Sequence, residues 1–163
     1  MLANLASLYQ ELILEHSKSP RNIGILDTPT SKKGLGINPS CGDKLILSLD
    51  IQDNIIIGIK HDSDGCSIFR ANCSLMSQLL IGKTTKEAEE ILKLFIRLIT
   101  FDENNTFTED EIKQLGKLQV FQNIANYPAR VKCAALFTRT IQDLITNYDS
   151  IEEDHLVSTE NDF

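Results

Sequence analysis

The 163-residue chain contains no apolar run approaching the roughly 20 residues that a bilayer-spanning helix needs. Its N-terminus also lacks the charged, then apolar, then small-residue order of a secretory signal. Cysteine is scarce, with four in the whole chain. The expected location is therefore cytoplasmic, where thiols stay reduced and a disulfide framework is not expected. Positive charge is in deficit as well: 16 Lys and Arg stand against 23 Asp and Glu, a net charge of −7. That balance argues against nucleic acid as the main partner and is mild enough to be simply solubilising. No internal repeat and no linker divides the chain. With 42% hydrophobic residues it suits one domain with an ordinary core.

What is present reads as an α+β pattern. Leu5, Leu8, Tyr9, Leu12 and Ile13 recur at helical spacing and predict a first helix over Leu5 to Ser17, stopped at Ser19-Pro20. Leu45, Leu47, Leu49 and Ile51 alternate, and so do Ile55, Ile57 and Ile59 after Gln52-Asp53-Asn54, which predicts an antiparallel hairpin with one buried face. Thr28 to Leu35 supplies a third strand. Beyond Cys66 the apolar residues Ile68, Ala71, Leu75, Met76, Leu79 and Leu80 are helical, closed by Gly82. Thr84 with Glu87 forms a capping-box pair for a helix carrying Ile91, Leu94, Phe95 and Leu98, and Asp102 to Asn105 breaks it. Thr108 with Glu111 is a second such pair, opening a short helix that ends near Gly116. Pro128 fits the first turn of a last helix with Val131, Ala134, Ala135, Ile141, Leu144 and Ile145. The expected fold is a small antiparallel sheet of about three strands with helices packed on one face, the N-terminal helix first. The domain runs over residues 1–148, and the acid-rich segment 149–163 is expected to be mobile.

Three cysteines sit in polar or turn-forming settings. They are Cys41 in Asn38-Pro39-Ser40-Cys41-Gly42-Asp43, Cys66 in Ser63-Asp64-Gly65-Cys66, and Cys133 in Tyr127-Pro128-Ala129-Arg130-Val131-Lys132-Cys133. Thiols in apolar stretches pack, whereas those after a turn or at a helix start ionise more readily and react or bind metal. Cys66 and Cys133 are expected near helix N-termini, where the dipole favours thiolate. Asp43 adds a carboxylate beside the first thiol, and three thiolates with one carboxylate make a four-ligand set that suits tetrahedral zinc. Gly42 and Gly65 allow the backbone to come close to such a site. Cys73 reads as a small buried residue, His16 and His155 as a helix-surface and a tail residue, and His61 as a strand-end residue. Arg130 and Lys132 flank the third thiol. Cations at a helix start oppose the dipole, which suggests a local purpose such as lowering a thiol pKa or meeting an acidic partner.

At these residues the chain resembles the IscU/SufU/NifU N-terminal family of iron–sulfur cluster assembly proteins. The likeness runs from about Leu8 to Ile145. It rests on His16-Ser17-Lys18-Ser19-Pro20-Arg21-Asn22, on the Cys41 motif, on Asp64-Gly65-Cys66-Ser67-Ile68 and on Pro128-Ala129-Arg130-Val131-Lys132-Cys133-Ala134. Two features resemble the SufU branch: Lys132 stands where the scaffold branch has histidine, and the segment from Asp102 to Gln119 is like the SufU insertion. Ser63, Phe69 and Cys73 depart from the small residues usual in the second motif. The resemblance implies a zinc site of Cys41, Asp43, Cys66 and Cys133. It also implies a SufS-type cysteine desulfurase as partner, whose persulfide sulfur Cys41 accepts and passes toward a downstream scaffold or apo-protein. Arg130 is implied in docking or sulfur transfer. The alternative that the ligand chemistry permits is a scaffold on which a [2Fe–2S] cluster is assembled.

Overall fold

The computed structural model describes residues 2–100, 106–151 and 155–160. Chain order is α1 (Leu2–Lys18), β1 (Lys32–Asn38), β2 (Asp43–Gln52), β3 (Ile55–Asp64), α2 (Ser67–Leu80), α3 (Thr85–Ile99), α4 (Glu109–Leu115), a 3-10 stretch (Gly116–Asn126), α5 (Pro128–Thr146), a short 3-10 turn (Tyr148–Ser150) and β4 (His155–Ser158). The sheet has the order β3-β2-β1-β4 among the described residues. β1, β2 and β3 pair antiparallel, while β4 runs parallel to β1. Helices α5 and α2 lie against one face of this sheet, and α1 packs on α2. The class is the α+β arrangement that the sequence implies, with one strand more than expected.

The hairpin turns at Asp53 and Asn54, both in the left-handed region at φ 52° and 61°, as a two-residue connection between twisted strands requires. Leu45, Leu47 and Leu49 are buried as their alternation predicts. The return strand differs from expectation. Ile56 and Ile59 are buried, while Ile55 and Ile57 are exposed. The pairing shifts between Asp50↔Gly58 and Ile51↔Ile56, so Ile57 is the extra residue of a β-bulge and the alternation changes phase there. β1 also starts and ends later than Thr28 to Leu35, because Thr28 and Ser31 close a turn through reciprocal side-chain bonds. Glycine lets α5 sit close on β1: a Cβ at Gly36 would stand 2.5 Å from Thr140 Oγ1.

Helix ends follow local chemistry. The Thr84–Glu87 capping box is complete, and Gly82 at φ 91° follows the end of α2. At α4 the Thr108–Glu111 pair shares its carboxylate with a third residue. Thr108 accepts from the Glu111 amide, and the Glu111 carboxylate, which also interacts with Thr108, takes the Arg97 guanidinium at 2.5 Å. The polar break at Asp102 to Asn105 lies outside the described residues. Across the core, Phe95 and Phe121 meet edge to face at 5.9 Å, holding α3 on the 3-10 stretch.

Part of the segment from residue 149 lies among the described residues. β4 extends the sheet beside β1, pairing Gly34 with His155 through to Ile37 with Ser158. The Thr159 amide then donates to the Ile37 carbonyl at 3.1 Å, and Thr159 is buried. A strand edge needs only backbone partners, so acidic composition does not prevent the pairing.

Candidate metal centre

Three stretches of chain converge where β1 ends, β2 begins and two helices start. The Asn38 carbonyl accepts from the amides of Cys41 (3.3 Å) and Gly42 (2.9 Å), and Gly42 at φ 75° closes the turn. This turn places Cys41 at an exposed rim and Asp43, two residues on, in the interior. Asn38 and Asp43 are directly paired in the β1–β2 register. Cys66 is half-buried at the N-cap of α2. Cys133 is fully buried in the second turn of α5.

Cys41, Asp43 and Cys133 each offer a ligand atom, and these atoms lie within 4.8 Å of one another. Cys66 stands beside this trio: its amide donates to Asp43 Oδ1 at 3.1 Å and its thiol pairs with Cys133. Both thiols nearest α5 share one acceptor, the Ala129 carbonyl, at 3.9 Å from Cys41 Sγ and 3.6 Å from Cys133 Sγ. Gly65 is a steric requirement of the site, since a Cβ there would be 2.2 Å from Asp43 Oδ1. The donor set of soft sulfurs and one carboxylate fits a tetrahedral dication. Among the described residues the buried Asp43 pairs with no cationic side chain and meets neutral donors, the Cys66 amide, the Asn38 amide and the Cys133 thiol, which leaves its charge to be balanced by a cation.

The thiols do not ionise alike. A hydrogen bond from the Cys133 thiol brings Cys66 down to about 6, opposed by burial and helped by the Phe69 amide and Arg130. Cys133 moves the opposite way: giving its proton to Cys66 and sitting in the interior hold it protonated. Cys66 stands at the N-cap of α2 whereas Cys133 lies in the second turn of α5, beyond its terminal amides, so the two sulfurs do not share one helix-start setting. Arg130 faces the sulfurs, and thiolate charge, that of Cys66 foremost, raises its own pKa. Cys73 is fully buried, and desolvation raises its pKa well above the ordinary thiol value.

His16 is not a helix-surface residue. It is buried, and its Nδ1 lies 2.6 Å from Ser74 Oγ, which also accepts from the Arg21 amide. His61 is buried too, with Nε2 2.8 Å from the Arg21 carbonyl, so the two histidines fasten the loop after α1 to α2 and β3. Lys132 donates to the Glu160 carbonyl at 2.8 Å. The residue that sequence reasoning passed over is Asn38, whose Nδ2 lies 3.1 Å from Asp43 Oδ2 and 3.4 Å from Cys133 Sγ. Its position opposite Asp43 across a short turn was a usable signal.

A fold of this topology carrying cysteines at the sheet–helix junction belongs to the NifU-like N-terminal domain family, whose model matches residues 8–134. The chain is thus a member of the IscU/SufU/NifU-type iron–sulfur cluster assembly family. It is 33% identical over 140 residues to the zinc-dependent sulfurtransferase SufU of Bacillus subtilis, covering 86% of this chain and 90% of that one. It is 31% identical over 144 residues to the iron–sulfur cluster assembly scaffold protein IscU of Streptococcus pyogenes, covering 88% and 86%. Among solved structures, the assembly scaffold protein for the SUF system from Fervidobacterium islandicum superposes with a TM-score of 0.74 at 30% identity, covering 83% of this chain and 94% of that one. A NifU-like protein from Brucella abortus shares the fold with a TM-score of 0.75 at 23% identity, covering 86% and 94%. No helix among the described residues is long and apolar enough to cross a membrane.

Proposed function

We propose that the protein is a zinc-dependent sulfur acceptor for a cysteine desulfurase of the SufS type, feeding sulfur to a downstream scaffold or apo-protein. The observation that carries this reading is the asymmetry of the site: one thiol stands at an exposed rim while its neighbours, Asp43 and Cys133, are buried. Cys41, Asp43, Cys66 and Cys133 would hold the metal. A bound zinc supplies charge neutralisation for the thiolates and keeps Cys41 quiet until a partner docks.

In the transfer step the Cys41 thiolate attacks the outer sulfur of a desulfurase cysteine persulfide. A new S–S bond forms on Cys41 Sγ, the S–S bond of the donor breaks, and the donor cysteine leaves as thiolate and takes up a proton. The exposure of Cys41 allows approach from outside, whereas Cys133 lacks that access. Arg130, exposed beside the sulfurs, would meet the negative charge of the arriving persulfide and of the departing thiolate.

The scaffold reading has support in the IscU relatives. Against it stands Lys132, which occupies the place of a histidine, carries no acceptor atom and is engaged with Glu160. Two measurements separate the readings. Desulfurase turnover with wild-type protein and with Cys41→Ala tests the acceptor, and loss of stimulation in the variant is expected. Anaerobic reconstitution with iron and sulfide tests the scaffold, where a stable cluster passed on to an apo-ferredoxin would reverse the ranking.

A further inference from the structure

Asn38 occupies a position that a turn does not explain. Its backbone does the work of the turn, since its carbonyl holds the Cys41 and Gly42 amides. The side chain is nevertheless fully buried, and it points inward at two ligand atoms of different residues. One Nδ2 hydrogen is aimed at Asp43 Oδ2 and the second at Cys133 Sγ, at 3.1 and 3.4 Å. The amide oxygen finds no partner among the described residues. Burying an unpaired oxygen is unfavourable, so the site carries a cost for keeping these two donors. The reverse orientation of the amide would set its oxygen against the Asp43 carboxylate, which charge opposes.

The other Asp43 oxygen is held by the Cys66 amide, so the carboxylate is fixed at both ends before any ligand arrives. Cys133 has the Asn38 donor in addition to its contact with Ala129. The Cys41 amide bonds the Asn38 carbonyl and its sulfur shares the Ala129 carbonyl, but among the described residues the Asn38 side chain donates to Asp43 and Cys133 and not to the Cys41 sulfur. A hydrogen bond to a metal-bound thiolate draws charge from the sulfur and strengthens as that charge develops. A single amide therefore treats two ligands one way and leaves the sulfurs of Cys41 and Cys66 without it, and of those two Cys41 is the exposed one.

We propose that Asn38 is a positioning residue that fixes Asp43 and Cys133 as the retained ligands of the centre, leaving Cys41 as the sulfur free to exchange. This rests on the metal reading above. Partners of this kind orient ligands and are worth about 10–100-fold in metal affinity. The effect is larger in the loaded than in the metal-free protein, because the amide donates best to a thiolate.

The test compares wild type with Asn38→Leu, which keeps side-chain bulk and removes both donors. Zinc affinity by competition with a chromogenic chelator is expected to fall about 10–100-fold. In the cobalt-loaded variant the sulfur-to-metal charge-transfer band moves to lower energy, and the melting temperature drops more with metal than without. A purely space-filling role would move neither the band nor the difference between the melts. Zinc affinity within about threefold of wild type, with an unchanged band, overturns the assignment, the factor lying well below that expected of an outer ligand partner. Should the variant not fold, the wild-type protein decides by nuclear magnetic resonance. Loading with cadmium-113 is expected to shift one Asn38 side-chain amide proton downfield and couple it to the metal through sulfur, and an unmoved pair of protons overturns the role. A wild-type chain that takes up neither zinc nor cobalt instead sinks the metal reading beneath it.

Discussion

Cys41 and Cys133 carry the same thiol and have ligand atoms within 4.8 Å of each other, yet the fold treats them as opposites. Cys41 sits on a turn whose amides bond the Asn38 carbonyl, and it is exposed. Cys133 sits on the buried face of a 19-residue helix, against the sheet, with Asn38 and Cys66 on its sulfur. The difference teaches that reactivity and retention can be divided between neighbouring sulfurs by burial and by the count of donors, without different side-chain chemistry.

The strongest way to break that comparison is to remove each thiol in turn. Cys133→Ala is expected to lower metal affinity by more than the roughly 100-fold that loss of an outer partner costs, with a lower melting temperature of the loaded protein. Cys41→Ala is expected to retain measurable metal binding and to lose sulfur acceptance, read as a missing 32 Da adduct, about one sulfur atom, by mass spectrometry after incubation with a desulfurase and cysteine. Equal metal loss in both variants would erase the division of labour. Gly65→Ala sharpens it from the buried side. The added Cβ meets Asp43 Oδ1 at 2.2 Å, so the carboxylate must move, and metal affinity should fall about 10–100-fold while Cys41 stays exposed.

A smaller effect concerns the thiol between them. In the metal-free protein, Cys66 with its pKa near 6 is expected to alkylate at neutral pH ahead of Cys133, with a rate that rises as pH climbs through that value. Arg130→Ala removes a nearby positive charge, so the midpoint should move upward. Site-resolved alkylation with peptide mapping reads both. An unchanged midpoint would mean that the Cys133 and Phe69 hydrogen bonds set it without Arg130.

How far the site was legible from sequence depends on what kind of contact builds each part. The hairpin, the Thr84 cap and the helix over Pro128 announce themselves because local alternation, side-chain capping and a fixed proline φ are short-range signals. The three cysteine motifs were likewise readable, since thiols in turn and helix-start settings are chemically conspicuous. The bulge at Ile57 was not, because four isoleucines among five residues give no phase of their own and pairing with Asp50 and Ile51 decides it. β4 was hidden in an acidic stretch, since an edge strand is held by backbone bonds that composition does not record. His16 looked like a surface residue from its helix position, and only its long-range bond to Ser74 reveals otherwise.

Those histidines give a milder prediction. Burial, the foremost cause for each, lowers the pKa of His16 and His61 below the ordinary 6.5. The folded state then binds fewer protons than the unfolded chain once the pH drops toward and below 6.5, so stability is lost on acidification and regained as pH rises above it. Melting of the metal-free protein from pH 7.5 to 5 should show a decline that is reduced in His16→Gln, whose amide can still bond Ser74. A decline of the same size in the variant would assign the effect to other groups. Here the comparison is with the Cys66 thiol, whose depressed pKa acts in the same direction over a neighbouring window, and labelling of Cys66 distinguishes the two.

The weakest perturbation addresses the edge nearest the exposed half of the site. Lys132, adjacent to Cys133 in sequence, reaches not to the sulfurs but to the Glu160 carbonyl, just beyond the strand that β4 adds to β1. The contact is exposed, so Lys132→Ala should change stability by no more than about 1 kcal/mol, the net worth of a single hydrogen bond. Its effect is expected in local protection: amide exchange should quicken at Val157 and Thr159, whose strand loses its side-chain tether, while Asn38 and Asp43 amides keep their rates. If exchange quickens equally at Asp43, the added strand and the candidate metal site are one cooperative unit, and the buried half of that site extends through β1 to β4.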